Sequence, residues 1–176
     1  WLIQTTDFHK ITVKFTYFAN VQNAGSSFVD ESVMYVNFVN CLPYVEGRID
    51  ESCEVILSIP HTYKIACGVQ PEGNILRANN YYQIVDSPML ASLYLQHEIY
   101  QVNNVNFHVW FLGNYTPNWT KLLADFQAFT KRQIQVMGDF PEKDYHFINW
   151  ILLTSFYHGV EHRNSTMIVL GPDSEG

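Results

Sequence analysis

The stretch densest in chemistry is Phe156-Tyr157-His158-Gly159-Val160-Glu161-His162-Arg163-Asn164-Ser165-Thr166, set directly after the apolar run Phe147 to Leu153. A glycine inside an extended segment lets a second backbone come close. An exposed strand edge can accept an extended peptide as one more strand. A carboxylate at that edge would pair with the terminal ammonium of such a peptide through a charge-assisted contact. Those are the parts an exopeptidase needs to count from the N-terminus. Gly159, Val160, Glu161 and His162 are therefore the candidate substrate-binding residues. The plainer reading of the same residues is a strand carrying a surface Glu and a surface His.

Other motifs are weaker. His97-Glu98-Ile99-Tyr100-Gln101 invites comparison with HExxH, but Gln101 stands where the second zinc-binding imidazole would have to be, and the segment alternates like a strand. Asn114-Tyr115-Thr116, Asn118-Trp119-Thr120 and Asn164-Ser165-Thr166 match a glycosylation acceptor pattern short enough to arise by chance. No nucleophile elbow, phosphate loop or dinucleotide fingerprint occurs, and no spacing of Ser, His and Asp marks a triad. Cys41, Cys53 and Cys67 cannot all pair with one another and form no zinc knuckle. They read as three buried thiols or as one disulfide and one free thiol.

The elements that carry these residues follow from period and turn chemistry. Lys10 to Phe18 alternates at period 2 and predicts a half-buried strand. Ser32 to Asn40 alternates with apolar residues on both faces, which predicts burial on two sides. Cys53 to Ile59 and Tyr63 to Cys67 read as short strands separated by Pro60, and Tyr81-Tyr82-Gln83-Ile84-Val85-Asp86-Ser87-Pro88 as a short helical turn ended by Pro88. Leu93 to Val102 and Val105 to Leu112 predict a hairpin turning at Asn103-Asn104. Short strands at this spacing predict a β-sandwich over residues 1–114. From Thr116-Pro117-Asn118 the pattern becomes helical through Leu122, Leu123, Phe126, Phe129, Gln133, Val136 and Met137, and Gly138 is a natural stop. Tyr145 to Thr154 predicts a buried strand and Val160 to Leu170 a second one. Residues 115–176 thus read as the opening of an α+β unit that is incomplete, with an apolar strand edge near Met167 to Leu170 through which the fragment would self-associate or which a neighbouring segment would cap. The expected fold class is mainly β with an α+β tail.

Composition sets outer bounds. The chain has 176 residues, 47% of them apolar and only 15% charged, enough for a packed core and unlike a disordered chain. A net charge of -7 and the lack of any Lys/Arg run argue against a nucleic-acid partner. No apolar run reaches the length of a membrane span. The opening Trp1-Leu2-Ile3 is strand-like, which suggests a trimmed or mature fragment without a signal peptide.

Taken together, Tyr145-His146-Phe147 and Gly159-Val160-Glu161-His162-Arg163-Asn164-Ser165-Thr166 resemble the glycyl-aminopeptidase family of zinc metallopeptidases, which share the thermolysin-like catalytic fold. Tyr44-Val45-Glu46-Gly47-Arg48 and Val85-Asp86-Ser87-Pro88 are similar to that family's N-terminal β domain, and Glu161 to Thr166 is the most specific element. The resemblance implies an N-terminal β-sandwich followed by the first helix and two strands of the catalytic domain. It implies that Glu161 recognises the free amine of a peptide substrate. Gly159 and Val160 would present main-chain groups to the substrate, and His162 would flank the amine pocket. His158 stands where the family has the first glycine of a pair, and Val160 where it has Leu. The family's HExxH helix and later glutamate ligand fall past Gly176. Zinc is accordingly expected in the full-length enzyme and not in this fragment, which alone would be inactive and whose further partner is the rest of its own catalytic domain. The alternative is a non-catalytic β-sandwich interaction module of a peptidase-like protein.

Overall fold

The computed structural model describes Leu2 and residues 10–172. Apart from Leu2, the strand-like opening at Trp1-Leu2-Ile3 lies outside the described residues, as does the end of the closing loop from residue 173. Twelve strands and two α-helices are formed among the described residues. In chain order these are β1 (Phe28–Val29), β2 (Val33–Val36), β3 (Cys53–Ile56), β4 (Lys64–Cys67), β5 (Pro71–Glu72), β6 (Ile75–Ala78), α1 (Tyr81–Val85), β7 (Met89–Ser92), β8 (Gln96–Val102), β9 (Val105–Leu112), α2 (Trp119–Met137), β10 (Asp144–Ile151), β11 (Tyr157–Glu161) and β12 (Ser165–Leu170).

The strands form a three-stranded sheet (β3-β6-β5), a four-stranded sheet (β1-β2-β7-β4) and a five-stranded sheet (β11-β12-β10-β9-β8). They stack as layers, with α2 on the far side of the five-stranded sheet. Val36, Met89 and Ala91 of the four-stranded sheet share a core with Leu76 and Ala78 of the three-stranded one. Tyr35, Ala66 and Leu90, from its opposite face, pack on Trp110, Ile148, Trp150, Met167 and Val169 of the five-stranded sheet. Burial on two sides, expected for the segment after Ser32, is what β2 shows: Val33 and Tyr35 belong to one core, Met34 and Val36 to the other. Each fully buried aliphatic or aromatic side chain contributes about 1.5–3 kcal/mol.

The helix α2 begins at Asn118, whose Oδ1 accepts from Lys121 N, and stops at Gly138 with φ of 91°. Its apolar stripe is wider than the sheet covers: Leu122, Leu123, Phe126 and Ile134 pack on Tyr100, Val102, Phe107 and Val109, while Val136 and Met137 stay exposed.

Four expectations are corrected. Residues 10–18 make no ladder among the described residues and are exposed throughout. Alternation marks what a strand would bury, but a ladder also needs a neighbour, and β1 beyond it is two residues long. The stretch Val160 to Leu170 is not one strand but the end of β11, a turn and β12, because His162-Arg163-Asn164 reverses the chain between the two strands. The tail therefore contributes three strands, not two. Finally, Met167 to Leu170 is not an edge: β12 pairs in parallel with β10 and antiparallel with β11, which leaves β11 and β8 as the sheet's edges.

The five-stranded sheet draws on both sides of the boundary expected at 114/115, since β9 pairs in parallel with β10 across it. All three thiols are free; Cys67 is buried, and its pKa is pushed up to about 12 by burial, whereas Cys41 and Cys53 are half-buried. No helix among the described residues is long and apolar enough to cross a membrane.

Candidate functional site: the free edge strand and its groove

Strand β11 lies at the end of the five-stranded sheet, so one of its two main-chain edges has no neighbour among the described residues. The register determines which groups face outward. His162 N donates to Ser165 O at 2.8 Å and Gly171 N donates to Phe156 O at 2.8 Å. Antiparallel bonding alternates along a strand, so the even-numbered residues turn their main chain toward β12. Tyr157, Gly159 and Glu161 consequently direct their N–H and C=O groups to the open edge. Val160 does not: its main chain faces Met167, and its side chain packs on the core shared with the four-stranded sheet.

Side chains alternate in the same way. Tyr157, Gly159 and Glu161 lie on the face that carries α2, and all three are exposed. His158 and Val160 point to the opposite face, where a Cβ placed on Gly25 would lie 3.5 Å from the His158 ring. The imidazole at 158 is therefore directed away from Gly159 and Glu161 rather than narrowing the space before them. A Cβ added to Gly159 would meet only Met167 O, at an ordinary 3.8 Å, so nothing inside the chain demands glycine there.

Glu161 lines a groove of about 550 Å³ between the C-terminal half of α2 and the sheet. Its walls are apolar, with Phe129, Phe140, Phe147 and Met137 among them, and Glu161, Thr166 and the Tyr145 hydroxyl bring polarity to one end. Tyr145 and Thr166 hydrogen-bond through their hydroxyls. Burial is the main cause that raises the Tyr145 pKa, with the Glu161 carboxylate adding to it, so the phenol keeps its proton. A carboxylate at the mouth of an apolar groove, beside unpaired main-chain donors and acceptors, can hold a cationic group while an extended chain lies along the edge.

His162 is placed differently from its neighbours. Its side chain is 7% exposed, and Nδ1 donates to Asp86 Oδ1 at 3.0 Å. Arg163 N donates to Asp86 Oδ2 at 3.0 Å, and Asn164 Nδ2 to Gly68 O at 2.7 Å. The turn of the hairpin is thus seated on the loops that follow β4 and α1. Gly68 is required for that close approach: a Cβ there would come within 2.4 Å of Asn164 Oδ1. Sequence reasoning singled out both Val85-Asp86-Ser87-Pro88 and Glu161 to Thr166 without joining them; carboxylate, imidazole and amide at the three positions were the available signal.

Sequence reasoning also missed a histidine cluster. His97, His108 and His146 stand on β8, β9 and β10, on the face toward the four-stranded sheet, against Trp110. His97 stacks on Trp110 with ring centroids 3.7 Å apart, and His108 on His146 at 4.3 Å. His97 Nε2 lies 3.0 Å from His108 Nδ1, His108 Nε2 3.1 Å from Asp144 Oδ1, and Trp110 Nε1 donates to His146 Nδ1 at 3.1 Å. These nitrogens are spent on one another and do not converge on a point. No group of three or more His, Cys, Asp or Glu among the described residues is arranged to hold a metal ion. Among the described residues, then, these side chains do not form a ligand set of the kind zinc takes.

A family model, the peptidase M61 N-terminal domain, matches residues 1–93, over half of the chain. A crystal structure of an aminopeptidase N family protein from Idiomarina loihiensis superposes with a TM-score of 0.81 at 25% identity, over 88% of this chain and 27% of that one. The M1 zinc metallopeptidase of Deinococcus radiodurans shares the fold, with a TM-score of 0.52 at 11% identity over 85% of this chain and 38% of that one. A mutant of that enzyme bound to a Tyr-Ser-Ala substrate gives 0.50 at 12%, over 83% and 37%. The chain spans about a quarter to two fifths of the length of these structures. No curated protein matches it.

Proposed function

From a chain that belongs to the peptidase M61 N-terminal domain family, we propose the N-terminal portion of a zinc-dependent, thermolysin-like aminopeptidase of the glycyl-aminopeptidase type. In this reading Glu161 anchors the substrate's terminal ammonium. The substrate lies along β11 as an added strand and exchanges main-chain hydrogen bonds with Gly159 and Glu161. The observation that carries the reading is Glu161, exposed on an unpaired edge strand and lining an apolar groove. Gly159 contributes by leaving its own face empty, since no internal contact accounts for the missing side chain.

The zinc of such an enzyme belongs to residues outside this chain. The rest of the catalytic domain covers the half-exposed face of β10, β12 and β11, because parallel strands are found almost only in sheets buried on both sides. The sheet to which those strands belong also includes the hairpin β8–β9, just past the end of the family match at residue 93.

The test is Glu161→Gln in the full-length enzyme, assayed on free and N-acetylated peptides. The amide keeps the shape and removes the charge. A charged hydrogen bond is worth about 1.5–3 kcal/mol, so kcat/KM on unblocked peptides is expected to fall roughly ten- to a hundredfold. Rates within about threefold of wild type refute the anchor.

A further inference from the structure

We propose that Asp86, in the N-terminal β module, is a positioning residue for the hairpin that carries Glu161. The inference rests on the aminopeptidase reading above for its functional consequence, and on contacts within this chain for the positioning itself.

Both oxygens of the Asp86 carboxylate are taken by consecutive residues of the hairpin turn: Oδ1 by His162 Nδ1 and Oδ2 by Arg163 N, each at 3.0 Å. A carboxylate only accepts, so Nδ1 of His162 carries a proton and donates it to Asp86. The ring's Nε2 is buried with no hydrogen-bond partner. Among the described residues the contact with Asp86 is the hydrogen bond of this ring, so Asp86 is the group that fixes the orientation of the imidazole. Asp86 stands on a fixed platform. It caps the C-terminus of α1 through its own N–H to Tyr82 O at 3.1 Å, and the helix is capped at its start by Asn80 Oδ1, which accepts from Gln83 N at 2.9 Å. Ser87 Oγ donates to Gln83 O at 2.7 Å and ties the next residue to the same helix.

Glu161 immediately precedes His162, so its main chain cannot move independently of the imidazole. The far edge of β11 has no neighbour among the described residues to hold it. Movement of β11 is opposed from one side by β12, which is itself paired with β10, and at the turn by Asp86, with Asn164 on Gly68 as a second point of attachment. Catalytic geometry tolerates displacements of well under 1 Å before rates fall by orders of magnitude. The N-terminal module thereby sets the position of an amine-binding carboxylate that it does not itself contain.

The experiment compares Asp86→Ala, Asp86→Asn and Glu161→Gln. In the full-length enzyme, Asp86→Ala is expected to raise KM for unblocked peptides about tenfold with kcat within about threefold, and to lessen the preference for free over N-acetylated peptides. Asp86→Asn keeps an acceptor for the His162 N–H and restores most of the loss. In the present chain, Asp86→Ala is expected to speed amide hydrogen exchange at His158, Val160 and His162, the residues bonded to β12, with little change in β9. If KM is unchanged in Asp86→Ala while Glu161→Gln impairs binding, the positioning role is wrong and the amine anchor stands. If Glu161→Gln is silent, the anchor falls, and unchanged exchange in β11 then overturns the latch as well, whereas faster exchange upholds it.

Discussion

Lowering the pH from 8 to 5 should destabilise this chain through the histidine cluster. Burial is the first cause at both sensitive positions. It pushes the His146 pKa down to about 3, with His108 adding to the effect and Asp144 opposing it. It pushes His97 down to about 4, helped by His108 and Lys64. The hydrogen bonds agree: His146 Nδ1 accepts from Trp110 Nε1 and cannot do so once protonated. With His108 Nε2–H on Asp144, His108 Nδ1 is left to accept from His97 Nε2. In the unfolded chain both imidazoles titrate near 6.5. Below that pH the unfolded state takes up protons that the folded state refuses. Stability is therefore complete above about 6.5, and is lost as pH falls toward about 4 for His97 and about 3 for His146. At pH 5 the His146 contribution to the loss is about 2 kcal/mol. His97 is half-exposed, and solvent screening reduces its share to about 1 kcal/mol. A loss of about 3 kcal/mol is a large part of the 5–15 kcal/mol typical of a domain. Urea unfolding followed by tryptophan fluorescence at pH 8 and pH 5 measures it, and His146→Gln should shrink the loss to about 1 kcal/mol. A wild-type difference below about 1 kcal/mol at unchanged m-value would refute the argument.

Two further outcomes separate folding from function. Gly68→Ala should lower stability by about 1–3 kcal/mol in thermal unfolding, because the new methyl group displaces Asn164 from Gly68 O and leaves both groups poorly paired. Gly159→Val should leave the melting temperature within a few degrees of wild type, because only Met167 O lies near the new side chain and β-branched residues suit strands, yet it should raise KM for peptides in the full-length enzyme.

What the sequence disclosed divides along the line between local and non-local causes. The helix α2 was legible because its caps, Asn118 and Gly138, and its apolar spacing are all local. The hairpin β8–β9 was legible because Asn103 tolerates the left-handed conformation, φ 54°, that its turn requires. The turn at His162-Arg163-Asn164 was not, since it contains neither glycine nor proline; its polar side chains are committed to Asp86, Glu142 and Gly68, partners up to 96 residues away. The strand expected over residues 10–18 had the right alternation but no neighbour to pair with. For the site, an exposed Glu161 on a strand edge was foreseeable, while the reversed directions of Val160 and His162 depend on the ladder phase between β11 and β12. The histidine cluster was invisible, because nothing in sequence relates positions 97, 108 and 146 until β8, β9 and β10 lie side by side.

The four-stranded sheet has no outside. Tyr35, Ala66 and Leu90 lean one way, Val36, Met89 and Ala91 the other, and all are nearly inaccessible to water. A polypeptide ended at residue 93, the last residue that the family model matches, would strip one of those surfaces bare and offer it to solvent or to its own copies. Dissection by genetics or protease therefore has to keep the five-stranded sheet with the sheet it covers.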